Sequence, residues 1–286
     1  MQIVLITGAA QGIGLATAHG LAEMGYRVYA MVRKSSETNK IDAHIRKFPS
    51  NLIKVIADVT DSSSIEEVVQ TILQQEGHID VVINNACHVV VGTCETCTLE
   101  EQQESMNVNY FGVIRVLQAT LPSMRARRSG QIIQISSVAG FEPFPHLESY
   151  VASKFALEGL TESLASHLCA WNIRISLVEP GGVKTEAPRL ARLGTRTLQD
   201  TNAYERYLSQ AKQKMIDVYD QSMDPLEVVQ IIEEILKSEK PRLRYQVGEF
   251  GKARASARFQ DPTGDTYVRF KKQLLEELYP YDLLGQ

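Results

Sequence analysis

Short apolar runs rich in β-branched residues recur along the chain, separated by longer stretches with helical spacing. The runs are Ile3 to Ile6, Arg27 to Val32, Asn51 to Ala57, Ile79 to Ile83, Ile132 to Ile135, Ile173 to Val178 and Leu243 to Val247. Their length and largely apolar, β-branched composition predict strands. Between them, Leu15 to Met24 is rich in Ala and Leu, and Ile65, Val68, Val69 and Ile72 share one face of a helix over Thr60 to Gln75. Further helices are predicted over Leu99 to Ala119, from Tyr150 to about Trp171, and over Leu226 to Lys237, where Asp224 and Pro225 form the start signal. A last one spans Tyr267 to Tyr279. Strands alternating with helices predict an α/β fold, a doubly wound parallel sheet of about seven strands with helices on both faces. Ligands in such a fold sit beyond the carboxyl ends of the strands.

Composition narrows the partners. The chain has 286 residues, 44% hydrophobic and 22% charged, enough for a sizeable core. A net charge of −4 gives no general attraction to nucleic acid or anionic membrane. Met1 to Ile6 reads as a first strand rather than a leader, and no apolar run suffices for a transmembrane segment. Four cysteines, Cys87, Cys94, Cys97 and Cys169, are too few for a disulfide framework, so a cytoplasmic location is expected. Cys94 and Cys97 have metal-ligand spacing without a second pair to complete a site. No metal is expected, and free thiols are the default.

The candidate chemistry lies at the predicted strand ends. Thr7 to Gly14 places Gly8, Gly12 and Gly14 between a strand and a helix, where backbone N–H groups and the helix dipole can receive a pyrophosphate. After the second strand come Val32, Arg33 and Lys34. Val32 cannot bond a ribose hydroxyl, whereas Arg33 can accommodate a 2′-phosphate, so NADP(H) is preferred and NAD(H) stays open; the alternative is a solvated turn. Asp58, followed by Val59, either accepts from an adenine amino group or approaches the next helix as a loop carboxylate. Asn109 is a mediocre helix former that needs a reason to be there, catalytic or a kink. Ser137 ends the fifth strand, as an active group or as a hydroxyl satisfied by backbone. Tyr150 and Lys154, four residues apart, share a helix face, so the ammonium is placed to lower the pKa of the phenol.

Taken in order, the Thr7 to Gly14 turn, Asp58, Asn84 to Ala86, Asn109, Ser137, the Tyr150 and Lys154 pair, and Pro180-Gly181 with Thr185 resemble the short-chain dehydrogenase/reductase (SDR) family over roughly residues 1–185. Within it, Phe155 to Ala165 and the later Asp261 to Gly264, Tyr267 and Val268 look like the 17β-hydroxysteroid dehydrogenase type 1 and photoreceptor retinol dehydrogenase branch. Cys87 departs from the family's usual glycine and puts the shape of that turn in question. The resemblance implies a Rossmann-like fold and one domain, with 1–185 the cofactor-binding and catalytic core, 186–223 a substrate lid and 224–286 a completing helix, strand and tail.

The resemblance also implies roles. Tyr150 is the proton donor or acceptor, and Lys154 tunes it and bonds the nicotinamide ribose. Ser137 polarises the substrate oxygen, while Asn109 fixes a water that links Lys154 to solvent. The cofactor is carried by Gly8, Gln11, Gly12, Ile13, Gly14, Arg33, Asp58, Val59, Asn85, Ala86, Tyr150, Lys154, Pro180, Gly181, Val183 and Thr185. Phe144 joins Ser137 and Tyr150 on the substrate, with Leu147 and His146 beside the approach. The expected partner is a small apolar carbonyl or alcohol, steroid-, retinoid- or lipid-like. Steroid specificity is not carried over, because the expected phenol contacts fall at Gln210 and Leu274. A homodimer or homotetramer, pairing the Asn109 and Tyr150 helices, is the implied assembly. Two alternatives remain: a 3-oxoacyl reductase, and a catalytically silent NADP(H)-sensing protein.

Overall fold

The computed structural model describes residues 1–196 and 202–260. The predicted tail helix, Leu274 and the Asp261 to Val268 signature lie outside the described residues. Seven parallel strands form the central sheet: β1 Ile3–Thr7, β2 Arg27–Val32, β3 Leu52–Ile56, β4 Val81–Asn84, β5 Gly130–Ile135, β6 Ile173–Pro180 and β7 Arg244–Val247, in the order β3-β2-β1-β4-β5-β6-β7. The order reverses direction between β1 and β4, the place at the carboxyl edge where doubly wound sheets receive their ligands.

Alternation along β1 shows why continuous apolar runs were needed. Val4 and Ile6 enter one core with Val228, Ile232 and Ile235, whereas Ile3 and Leu5 enter the other with Ile65, Val69 and Leu157. Both faces are therefore covered, the first by α1 (Gly12–Glu23) and α9 (Pro225–Lys237), the second by α3 (Ser62–Glu76), α5 (Gly112–Arg127) and α6 (Glu148–Leu168). Between α1 and α3 on the chain lies α2 (Asn39–Lys47), a helix the apolar pattern did not predict because Ile41 alone is fully buried on it.

The expected long helix from Leu99 is interrupted. It consists of α4 (Leu99–Met106), a π-helical turn over Asn107–Phe111, and α5 with Pro122 inside it, ending at Arg127 rather than Ala119. Asn109 lies in the π turn, which answers what an asparagine does there: the wider turn re-aims it. Over residues 186–223 the structure has α7 (Ala187–Leu190), a two-residue strand Arg192–Leu193 paired with Val90–Val91, and α8 (Asn202–Asp220). The chain then enters α9, β7 and the unpredicted α10 (Gly248–Arg258). Among the described residues, no helix is long and apolar enough to cross a membrane, and no group of three or more His, Cys, Asp or Glu is placed to hold a metal.

Candidate active site

The glycine-rich turn is shaped by contacts that exclude side chains. Gly8 has φ +68°, and a Cβ on it would approach Ala86 Cα to 2.8 Å; one on Gly14 would lie 2.4 Å from both Asn85 Nδ2 and the Gly8 oxygen. Asn85 closes the turn from the next strand, donating from Nδ2 to the Thr7 and Gly8 oxygens at 2.9 and 3.1 Å. Thr7 Oγ1 accepts from the Asn85 and Ala86 N–H groups, each at 3.0 Å. The result is a rigid turn feeding a helix whose start is bare. Whereas Asp61, Thr98 and Asp224 cap α3, α4 and α9 with their side chains, α1 has no side-chain cap at Gln11 and no acid in its first turn. Its N–H donors at Gly12, Ile13 and Gly14 and its positive dipole end face the crevice, and Thr185 lies across from them, 3.3 Å from where a Gly12 Cβ would be. That is the donor set a pyrophosphate requires, so the turn fits a dinucleotide.

Beyond β2, Arg33, Lys34 and Ser35 line a cleft of about 450 Å³ with Ile56, Ala57, Asp58 and Ser64. Val32 is buried in the core. Asp58 is committed locally: Oδ1 accepts from Thr60 N at 2.9 Å and Thr60 Oγ1 at 2.7 Å. Two exposed cations with a fixed acid opposite suit an adenosine carrying a 2′-phosphate.

At the centre, three side chains of α6 meet three successive residues at the end of β5. Lys154, 3% exposed, donates from Nζ to the Ile135 oxygen at 2.8 Å. Glu158, one turn on, accepts from Ser136 Oγ. Tyr150, one turn back, is close enough to the Ser137 hydroxyl for it to pull the phenol pKa down. Ser137 Oγ also accepts from Ala139 N at 3.1 Å, capping the single 3₁₀ turn Val138–Gly140. Asn109, 1% exposed, accepts from His88 N at 2.7 Å and donates to the His88 oxygen and Ser153 Oγ, each at 2.9 Å, tying the loop after β4 to α6.

Burial pushes the Tyr150 phenol well above its ordinary value, with smaller upward pushes from Cys87 and Tyr219 and an opposing pull from Ser137. The tuning expected from Lys154 is not what dominates here. Its Nζ stands 5.8 Å from the Tyr150 ring centroid and is turned to Ile135. A lysine has three N–H donors, so two remain for ribose hydroxyls. Cys87 sits in the turn after β4 without a positive φ, which explains how that turn forms without the expected glycine.

The remaining predicted residues spread around this centre. Pro180 ends β6 and Gly181 and Val183 follow it, where Val183 bridges Met223. Val59 is buried under α5, against Gly112. Phe144 packs on a small cluster of Val138, Phe141 and Ala255. His146, at φ +64°, has its ring against Tyr207, and burial depresses its pKa. Sequence reasoning missed Tyr219, Met223 and Phe250, which come from α8, the loop after it and α10; a Cβ on Gly181 would touch Phe250 at 3.3 Å and Met223 at 3.7 Å. No local motif marks them. It also passed over Glu158 and Glu179 as chemistry, although an acid inside the apolar run ISLVEP was a signal.

Residues 2–193 match the family model for short chain dehydrogenases. Retinol dehydrogenase 8 of Homo sapiens is 36% identical over 285 residues, 96% of this chain and 90% of that protein. A 3-ketodihydrosphingosine reductase of Bacteroides thetaiotaomicron is 42% identical over 187 residues, a match that spans 64% of this chain and 65% of that relative. The solved structure of a metagenomic short-chain oxidoreductase in complex with NADP superimposes with a TM-score of 0.68 at 26% identity, covering 86% of this chain and 96% of that one.

Proposed function

Since the chain belongs to the short-chain dehydrogenase family, we propose that this oxidoreductase uses NADP(H) to interconvert an apolar carbonyl and its alcohol, of retinoid, steroid or long-chain lipid type. The observation that carries this is the convergence of Tyr150, Ser137 and Lys154 at the end of β5, at the same edge where α1 begins uncapped. The bound nicotinamide supplies or accepts the hydride. The protein's residues manage the proton and the geometry. Ser137 holds the substrate oxygen, and Tyr150 gives its proton to the oxygen as negative charge develops, or takes it back in oxidation. A phenol kept protonated by burial suits the donor role. Lys154 anchors the ribose with its two remaining donors, and Asn109 keeps the β4 loop against α6. Arg33 and Lys34 take the 2′-phosphate.

The apolar substrate class is favoured by the side chains around the centre, namely Val138, Phe141, Phe144, Met223 and Phe250. In this reading residues 186–223 form the lid, which rests on its described parts, where α8 places Tyr219 within electrostatic reach of Tyr150. The test is a panel of apolar aldehydes and ketones, from retinoid to steroid to long-chain alkanal, followed by NADPH absorbance. Turnover of at least one is expected. Tight NADPH binding with no turnover of any would replace the enzyme by a cofactor sensor.

A further inference from the structure

The buried chemistry of α6 continues past the catalytic pair. Glu158 follows Tyr150 and Lys154 at the same four-residue spacing, and its side chain is 6% exposed. It accepts from Ser136 Oγ, and it packs under the turn that Ser137 caps, since a Cβ on Gly140 would lie 2.6 Å from Glu158 Oε1. Ser137 is therefore flanked by Glu158 on both sides. On the far side of Glu158 stands Glu179, fully buried at the end of β6. One Arg244 Nη1 serves both carboxylates, at 2.6 Å from Glu158 Oε2 and in contact with Glu179 Oε1, while its Nη2 is spent on the exposed Glu162 at 2.7 Å. Gln246 Nε2 donates to Glu179 Oε2 at 2.5 Å.

The other charges nearby are engaged elsewhere. On α6, Lys154 is bound to Ile135. On α10, Arg254 pairs with Glu142, and Arg258 donates to the Phe141 oxygen at 3.1 Å. Two buried acids thus face one guanidinium. Desolvation raises the pKa of both, and the charge of Glu179 adds to the rise of Glu158, from 4.5 to about 7, whereas Glu158 holds Glu179 down through a side-chain hydrogen bond; the proton is a property of the pair rather than of either residue.

We propose that Glu158 is a positioning residue of the reaction, acting through Ser136 and the Val138–Gly140 turn to hold Ser137, and that it does so from a buried carboxyl pair with Glu179 that takes up and releases one proton. This rests on the oxidoreductase reading above. With the proton in the pair, Ser136 is held by a weakly charged acceptor. Once the proton leaves, the full carboxylate accepts a charge-assisted bond and fixes the end of β5 more firmly.

The experiment compares wild type, Glu158→Gln and Ser136→Ala as full-length protein, by kcat for an apolar aldehyde with NADPH from pH 5.5 to 8.5 and by Tm over the same range. Glutamine mimics the protonated acid. Wild type and Glu158→Gln are therefore expected to share one kcat below pH 6, with the variant about threefold or more slower above pH 8 and KM for NADPH changed less than about twofold.

The stability sign is independent of turnover. A carboxyl whose pKa is raised by folding contributes stability that is complete below the ordinary value of 4.5 and lost as pH rises through about 7. The Tm of Glu158→Gln should therefore gain on wild type by about 3 °C or more between pH 5.5 and 8. Ser136→Ala should keep the wild-type Tm profile, since the pair still titrates, while losing the kcat dependence. It also serves if Glu158→Gln does not fold. Parallel kcat profiles in an active wild type, or an unaltered profile in Ser136→Ala, overturn the positioning role. A pH-independent Tm difference overturns the titrating pair. A wild type that reduces no carbonyl fails at the level of the activity itself and ends the positioning role with it, leaving Tm to judge the pair.

Discussion

Around β1 and β2 the ligand surface is made of backbone and a handful of neighbours in sequence. The turn from Gly8 to Gly14, the bare start of α1 and the Arg33 and Lys34 corner occupy the first strand–helix–strand unit, closed by Asn85 from β4. Around Ser137 the surface is made of side chains from distant elements: Tyr150 on α6, Tyr219 on α8, Met223 in the loop beyond it and Phe250 on α10. The cofactor half therefore depends on what must be absent, namely caps and Cβ atoms, and tolerates little variation. The substrate half depends on which side chains arrive, and can be re-specified without disturbing the sheet.

The largest effect expected separates the halves outright. Tyr150→Phe removes the acid and keeps the ring, so kcat should fall by about 100-fold or more while NADPH affinity stays within about twofold. Fluorescence titration with NADPH beside steady-state rates checks this. A variant retaining more than a few per cent of the rate would remove Tyr150 from the proton transfer. Arg33→Asp is the converse probe. It should cut the ratio of kcat/KM for NADPH over NADH by about 10- to 100-fold, the size of one or two charge-assisted hydrogen bonds to a phosphate, with kcat at saturating cofactor little altered. An unchanged ratio would return Arg33 to a solvated turn.

The same division governs what was legible in the sequence. The sheet was readable because most strands carry short runs of β-branched residues, and β1, apolar until its final threonine, feeds alternate residues to two cores. The glycine turn, Ser137, Tyr150 and Lys154 were readable because their spacing is local. The helix α2 was not, because one buried isoleucine leaves no apolar stripe. Nor was the π turn, since nothing in NVNYF distinguishes a five-residue closure from an ordinary one. Tyr219 and Phe250 reach the centre through the paths of α8 and α10, which no spacing rule encodes. The orientation of Lys154 was not legible for a related reason: helical spacing puts it on the same face as Tyr150, but the Ile135 oxygen, at the end of β5, decides where its ammonium points.

A smaller effect tests whether the cofactor half is as intolerant as its packing implies. Gly14→Ala inserts a methyl 2.4 Å from the Gly8 oxygen and Asn85 Nδ2, so the turn must shift. Overpacking of this kind costs about 1–3 kcal/mol, and Tm should fall by roughly 2–8 °C, with NADPH affinity reduced in step. Calorimetry with and without NADPH reads both. An alanine variant with unchanged Tm and affinity would mean that the turn relaxes freely and that its glycine is not required for shape.

The smallest effect concerns the contact between the lid and the centre. Tyr219 is a half-buried residue of α8 whose phenol pKa is raised by desolvation and by Cys87, and it pushes the Tyr150 phenol upward. At neutral pH both phenols are protonated, so the charge interaction between them is silent there, and phenylalanine keeps the ring. Tyr219→Phe should then reduce kcat/KM for an apolar carbonyl by only about threefold, and NADPH affinity not at all. At high pH the sign is more informative than the size. Without the second phenol, Tyr150 ionises more readily, and the alkaline limb of the pH–rate profile should move to lower pH. A limb that stays in place would leave α8 a cover that does not sense the proton donor, whereas a loss of NADPH affinity larger than the loss of kcat/KM would assign Tyr219 to the cofactor half and move the boundary between the halves by one helix.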